Sequence, residues 1–419
     1  MSRLYDIFSE SEGVTTDSRS IRPGSIFFAL RGETFDGNRF AVDALKKGAA
    51  YAVVDDPKVI EEAEQEFCKR LILCDNSLKA LQELAREHRL ELGIPVIAVA
   101  GSNGKTTTKE LITRVLAEKF NVYATHGNLN NHIGVPLTLL SMTRETEFGI
   151  VEMGASSCGE IALLTSIARP NYGILTNVGR AHLEGFGGVE GVRRGKGELY
   201  DFLAESGGRA FVPDDDSTLI DMAAERPNLS VEYYSVAAAD GVPNHLEGKY
   251  NLRNIAAAMA IGRYFDVDEE RIRHAIESYR PDNNRSQRLV TGRNSLIVDC
   301  YNANPSSMQA SLDNFIAEGS ELPKMAILGD MLELGRWAVD EHLAVIDRAV
   351  KGNIPTIWLV GRYFAEAAAG YQTDSTADIR LFASRDEAAA ELTAHPVSGS
   401  FILIKGSHGV GLEKLLGLL

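Results

Sequence analysis

The sequence predicts an α/β protein of three domains. These are a small α/β domain over residues 1–80, a central parallel-sheet domain with a phosphate loop over 81–284, and a C-terminal Rossmann-like domain over 285–419. Three observations lead there. Short apolar runs alternate with helical patterns, which is the order of a parallel sheet covered by helices. A glycine turn, Gly101-Ser102-Asn103-Gly104-Lys105-Thr106-Thr107, joins one apolar run to an amphipathic helix. The length of 419 residues suits two or three cores.

In the first region, residues 26–30 are an apolar run between Pro23-Gly24 and Arg31-Gly32, which fits a buried strand bounded by turns. Residues 50–54 and 71–74 are two more strands, and a helix at about 40–48 precedes the first of them. In the central region, Val96–Ala100 is a strand, and a helix begins near Lys105. Further strands fall at 148–153 and 173–176, separated by a helix at about 159–168 that ends before Pro170. The third region repeats the pattern. Its strands are 295–298, 325–328, 356–360 and 401–404, with helices between them, for instance around 340–350. That spacing predicts a second doubly wound sheet.

The bulk composition narrows the function classes. A hydrophobic fraction of 44% and a charged fraction of 24% are ordinary for a folded soluble chain and exclude disorder. A net charge of -15 argues against a general nucleic-acid binder. Cys68, Cys74, Cys158 and Cys300 form no CxxC pair, as in a protein of a reducing compartment. The first ten residues include acidic ones and no apolar core of a signal peptide, and no run of about 18 apolar residues exists. A cytoplasmic protein, monomeric and without a membrane span, is the expectation.

The glycine turn carries the chemistry. Glycines let the backbone turn tightly and bring N–H groups to phosphate oxygens. The helix N-terminus adds donors and a favourable dipole. Lys105 can reach the β and γ phosphates of ATP, and the Thr106 hydroxyl can hold Mg²⁺. The spacing is shorter than the usual G-x-x-x-x-G-K-[ST], since only two residues separate the glycines. A glycine-rich turn with a solvated lysine is the bland alternative, and the flanking strand and helix oppose it. Glu152 closes an apolar strand, where it can bind the phosphate-bridging metal or cap the next helix. His182 follows the next strand, near the same sheet edge. Lys196 sits in the basic stretch Arg193-Arg194-Gly195-Lys196, from which composition alone assigns nothing further.

The chain resembles the Mur ligases, the ATP-dependent amide-forming enzymes of peptidoglycan precursor synthesis. The resemblance spans nearly the whole chain. It rests on Asp17-Ser18-Arg19 and Asp36-Gly37-Asn38-Arg39-Phe40 in the first domain, and on the glycine turn, Gly127 to Thr138, Glu152-Met153-Gly154-Ala155, Thr176 to Gly187 and Lys196-Gly197-Glu198 in the second. Tyr301-Asn302-Ala303-Asn304-Pro305-Ser306-Ser307-Met308 and Leu328 to Gly335 carry it in the third. These last two stretches point to the branch that adds D-alanyl-D-alanine to UDP-N-acetylmuramoyl-tripeptide.

The resemblance implies a UDP-sugar-binding first domain, an ATP-binding second and a ligase third, working through an acyl phosphate. It implies Lys105, Lys196 and His182 as catalytic residues. Gly101, Ser102, Asn103, Gly104, Lys105, Thr106, Thr107, Asn254, Asp299 and Asn302 would contact the nucleotide, with Arg285 or Arg288. Thr106, Glu152, His182 and Lys196 would ligate Mg²⁺ in a two-metal site, Lys196 as a carbamate. Ser18, Arg19, Asn128, Asn131 and Asn304 would contact the substrates. Four places depart from the family pattern: Ser25, Pro213, Lys249-Tyr250-Asn251 and His408. The rival readings are another Mur-type or folylpolyglutamate-type amide ligase, or a nucleotide-binding regulator without catalysis.

Overall fold

The computed structural model describes residues 2–281, 287–373 and 375–419, and their strands form three sheets. In the first, β1 (Val14–Thr15), β2 (Ile26–Phe28), β3 (Tyr51–Val54) and β4 (Leu71–Leu73) pair in chain order, all parallel. The expected strand at 26–30 stops at Phe28, because Leu30 turns away to accept the Gly37 N–H at 2.8 Å.

Helix Ser77–Leu92 was not legible as an apolar run. Asn76 caps its start by accepting the Lys79 N–H, and Gly93, with φ of 62°, ends it. Its buried stripe is Leu81, Leu84, Ala85 and His88. His88 ties two regions together: Tyr5 Oη lies 3.3 Å from its Nδ1, and the Met142 carbonyl lies 2.9 Å from its Nε2. The helix therefore runs across the 80/81 division expected from the sequence.

The central sheet holds β5 (Val96–Ala100), β6 (Val122–Ala124), β7 (Phe148–Glu152), β8 (Tyr172–Leu175), β9 (Arg209–Pro213) and β10 (Ser230–Tyr234). Its order is β10-β9-β8-β5-β7-β6, and all pairs are parallel. The chain fills one side of β5 with β7 and β6, then crosses to the other for β8 onward. That reversal at β5 opens a crevice beyond the strand's C-terminal end. All five residues of β5 are fully buried because both faces are covered. Ile97 and Val99 pack with Leu111, Val115, Ile255 and Met259, while Val96, Ala98 and Ala100 join the opposite cluster with Val151 and Leu175. Each large apolar side chain buried this way contributes about 1.5–3 kcal/mol.

The third sheet holds β11 (Gln287–Val290), β12 (Ser295–Asp299), β13 (Lys324–Gly329), β14 (Thr356–Val360), β15 (Asp378–Phe382) and β16 (Phe401–Lys405), in the order β11-β12-β16-β13-β14-β15. It is parallel except for β11, which pairs antiparallel with β12 at one edge. The doubly wound expectation thus acquires a hairpin, turned where the Thr291 N–H donates to the Asn294 carbonyl at 2.9 Å. Asp299 and Lys405 are register partners at the C-terminal ends of β12 and β16. Among the described residues, no helix is long and apolar enough to cross a membrane.

Candidate active site

The glycine turn leaves β5 and enters helix Lys105–Ala117. Gly101 has φ of 133° and Gly104 φ of 78°. A Cβ on Gly101 would lie 2.1 Å from Thr176 Oγ1, and one on Gly104 would lie 2.8 Å from Asn254 Oδ1. Both positions therefore need glycine. The segment after β8 braces the turn. Thr176 Oγ1 donates to the Asn103 carbonyl at 2.6 Å, and Asn177 Nδ2 donates to the same oxygen at 2.9 Å. The Asn103 N–H donates to Asn177 Oδ1 at 3.1 Å, and the Gly179 N–H donates to Ser102 Oγ at 2.9 Å. Lys105 folds back, its Nζ donating to the Gly101 and Ser102 carbonyls at 2.8 and 3.0 Å.

A cavity of about 890 Å³ opens over this turn. It brings Ser102, Asn103, Gly104, Lys105, Thr106 and Thr107 together with Asn128, Asn131, Glu152, His182 and Asn254 of the central domain, and with Asp299 and Asn302 of the C-terminal domain. Glu152 ends β7 and is 2% exposed. Its Oε1 accepts from Asn130 Nδ2 at 2.8 Å, while its Oε2 is buried without a hydrogen-bond partner. A half-satisfied buried carboxylate is costly until a cation or donor completes it. That oxygen fits Mg²⁺, which prefers oxygen ligands and uses few protein groups. Among the described residues, no three His, Cys, Asp or Glu side chains converge as a metal cage, so any ion there would draw on hydroxyls, phosphates or water as well.

Lys196 lies on helix Val189–Ser206 and is 1% exposed. Its Nζ donates to the Ala155 carbonyl at 3.1 Å and stands 5.0 Å from the centre of the Phe186 ring. Ala155 lines the cavity, so Lys196 sits just behind the wall. Burial, reinforced by the charge of Lys105, pulls its ammonium pKa down to about 7 against the opposing pull of Glu160 and Glu198.

The C-terminal domain supplies the far wall. Lys405, 1% exposed, donates from Nζ to Asp299 Oδ2 at 2.6 Å and reaches the Asn302 carbonyl at 3.5 Å. Sequence reasoning missed Lys405, although a lysine closing an apolar strand was a signal. It also missed Asn130 and Asn177 as cavity residues, while Lys249, Tyr250 and Asn251, the departure from the family pattern before Asn254, line the cavity. Asn304 caps helix Pro305–Ala317 and exchanges amide hydrogen bonds with Asn103, at 2.7 and 3.3 Å. It lines a smaller adjoining cavity of about 240 Å³, which shares His182, Tyr301 and Asn302 with the larger one.

Some expectations are not brought to the cavity. Arg288 is engaged by Glu247 at 2.7 and 3.1 Å and by Glu318, and lies over the Phe401 ring. Two carboxylates engage its Nε and Nη2, and it lines neither cavity. Ser18 and Arg19 follow β1 and stand apart as well. Arg19, its side chain 88% exposed, pairs with Asp17 at 2.8 Å, and the Ser18 carbonyl accepts from Lys47 Nζ at 2.8 Å. Arg285 lies outside the described residues.

A phosphate loop at the reversal of one parallel sheet, faced by the strand ends of a second α/β domain, defines an ATP-dependent enzyme that brings further substrates to a nucleotide. Three family models match the chain: "Mur ligase family, catalytic domain" over residues 10–89, "Mur ligase middle domain" over 99–242, and "Mur ligase, glutamate ligase domain" over 284–408. The chain belongs to the Mur ligase family. It is 33% identical to the UDP-N-acetylmuramoyl-tripeptide–D-alanyl-D-alanine ligase of Bacillus subtilis (strain 168), over 96% of this chain and 92% of that protein. The structure resembles that of MurF from Acinetobacter baumannii with a TM-score of 0.84 at 26% identity, covering 98% of this chain and 97% of the other. It also resembles the MurF ligase of Thermotoga maritima, solved in complex with ADP, with a TM-score of 0.82 at 26% identity, covering 100% of this chain and 98% of the other.

Proposed function

We propose that this chain joins the amine of D-alanyl-D-alanine to the terminal carboxylate of UDP-N-acetylmuramoyl-tripeptide at the expense of ATP, a step of peptidoglycan precursor synthesis. The observation that carries the reading is the cavity in which the phosphate loop of the central domain faces Asp299 and Asn302 of the C-terminal domain. The similarity to UDP-N-acetylmuramoyl-tripeptide–D-alanyl-D-alanine ligases over nearly the full chain supports the choice of substrates.

The tripeptide carboxylate attacks the γ-phosphorus, forming an acyl phosphate and releasing ADP. The amine of the dipeptide then attacks the acyl carbon, loses a proton, and expels phosphate. The protein's part is positioning and charge neutralisation. The loop N–H groups at the start of helix Lys105–Ala117 cradle the phosphates. Lys105 Nζ exchanges its two backbone carbonyls for phosphate oxygens. Asn254, Asp299 and Asn302 would hold the nucleoside end, and Asn128 and Asn131 the acyl substrate. Ser18 and Arg19 would meet its UDP-sugar in the first domain. Thr106, Glu152 and His182, with Lys196 once carbamylated, would hold Mg²⁺, which supplies charge neutralisation at the phosphoryl oxygens when bound. The roof of the C-terminal domain keeps water from the acyl phosphate.

An isotope experiment tests the sequence of steps. Tripeptide labelled with ¹⁸O in its terminal carboxylate should deliver one labelled oxygen to each released phosphate. Phosphate without label, formed alongside the amide product, would rule out the acyl phosphate.

A further inference from the structure

The loop that braces the phosphate turn is itself clasped by the C-terminal domain. Between β8 and helix Val189–Ser206, the Arg180 N–H donates to Ser306 Oγ at 2.8 Å. The Arg180 guanidinium pairs with Glu341, whose side chain is buried, and the Nδ1 of His182 is hydrogen-bonded to Glu333. The backbones meet as well: the Glu184 N–H donates to the Glu333 carbonyl at 3.3 Å. His182 and Glu333 both take left-handed backbone angles, with φ of 51° and 61°. Such angles are uncommon outside glycine and persist where surrounding contacts hold them.

His182 lines both cavities, so its ring stands at their junction. An imidazole in that place is useful only if its orientation and tautomer are fixed, and the partner of one ring nitrogen decides the state of the other. We propose that Glu333 is a positioning residue: it accepts the Nδ1 proton of His182 and leaves Nε2 as the lone-pair nitrogen available to the cavities. Because Glu333 belongs to the C-terminal domain and His182 to the central one, this orientation exists only while the two domains are docked. The Arg180–Glu341 pair and the Ser306 contact hold the same loop in register for it. Gln in place of Glu333 keeps an oxygen that accepts from Nδ1, whereas Ala does not.

The test has two arms, and only the kinetic one rests on the ligase reading. In full-length protein labelled with ¹⁵N at histidine, ring-nitrogen correlation spectra are recorded without substrates, and His182 is identified by the signals lost in His182→Ala. The wild type and Glu333→Gln should show His182 protonated at Nδ1. Glu333→Ala should shift it to protonation at Nε2, the form favoured by a free imidazole ring. In turnover assays, Glu333→Ala should lower kcat by roughly 10–100-fold, the usual cost of losing such a partner. The KM for ATP should move less than threefold, and Glu333→Gln should recover most of the loss. Thermal unfolding of each variant separates misfolding from misorientation. Protonation at Nε2 in the wild type, or a tautomer unchanged in Glu333→Ala, would overturn the proposal. So would an unchanged kcat in an active Glu333→Ala enzyme. Absence of ligase activity in the wild type would sink the functional reading and leave the tautomer result standing.

Discussion

Lys196 is expected to take up CO₂ at neutral pH, where an ordinary lysine does not. A carbamate forms from the neutral amine. At the usual lysine pKa of about 10.4, roughly 0.04% of side chains are neutral at pH 7. Burial and the charge of Lys105 hold Lys196 at about 7, so about half of it is neutral there. The reactive fraction rises on the order of 1,000-fold. The assay is ¹³C NMR of the full chain with labelled bicarbonate, titrated through the neutral and alkaline range. A carbamate signal should grow through about pH 7 and be absent from Lys196→Met. A midpoint near that of exposed lysines, or a signal surviving in Lys196→Met, would refute the reasoning. Stability gives a second readout. The folded-state pKa lies below the unfolded one, so folding expels a proton. The cost is complete below about pH 7 and fades as the pH climbs toward that of a free lysine. In CO₂-free buffer, the wild type should gain up to roughly 4–5 kcal/mol relative to Lys196→Met across that window.

Three further outcomes follow from the geometry. Glu152→Gln should lower turnover by about 100-fold, as loss of one electrostatic group in a phosphoryl-transfer site does, yet leave the thermal midpoint of the substrate-free protein no lower, since Oε2 has no partner to lose. Gly101→Ala should weaken ATP binding at least tenfold in calorimetry and cost about 1–3 kcal/mol of stability, because its Cβ would strike Thr176 Oγ1 at a φ that disfavours alanine. Arg288→Ala should change kcat/KM for ATP by less than about threefold, because Glu247 and Glu318 occupy its guanidinium. A tenfold loss there would instead place Arg288 on the nucleotide.

Much of the fold was legible because both faces of its sheets are covered, which leaves continuous apolar runs such as Val96–Ala100 and Thr356–Val360. Strands that carry polar residues escaped that signal. In β10 only Tyr234 is buried, and β11 alternates half-exposed and exposed positions at the sheet edge. Helix Ser77–Leu92 was missed for the same reason, since charged residues interrupt its buried stripe. At the site, the glycine turn, Glu152 and His182 could be read because each follows a strand at one sheet edge. Lys405 also closes an apolar strand, but its pairing with Asp299, like the place of Asn130, depends on contacts distant in sequence: β12 with β16, and the Asn128-to-Asn131 turn with the end of β7. For Arg288, which the resemblance offers beside Arg285 as a nucleotide contact, the sequence carries no sign that Glu247 and Glu318, distant in the chain, engage its guanidinium.

Phosphate release measured with ATP, UDP-N-acetylmuramoyl-tripeptide and D-alanyl-D-alanine, each omitted in turn, tests the central claim most directly. Sustained release should require all three, match the amount of ligated product one for one, and fall by about 100- to 1,000-fold in Lys105→Ala. Release that persists without either acceptor, or proceeds at the parent rate in Lys105→Ala, would contradict the account.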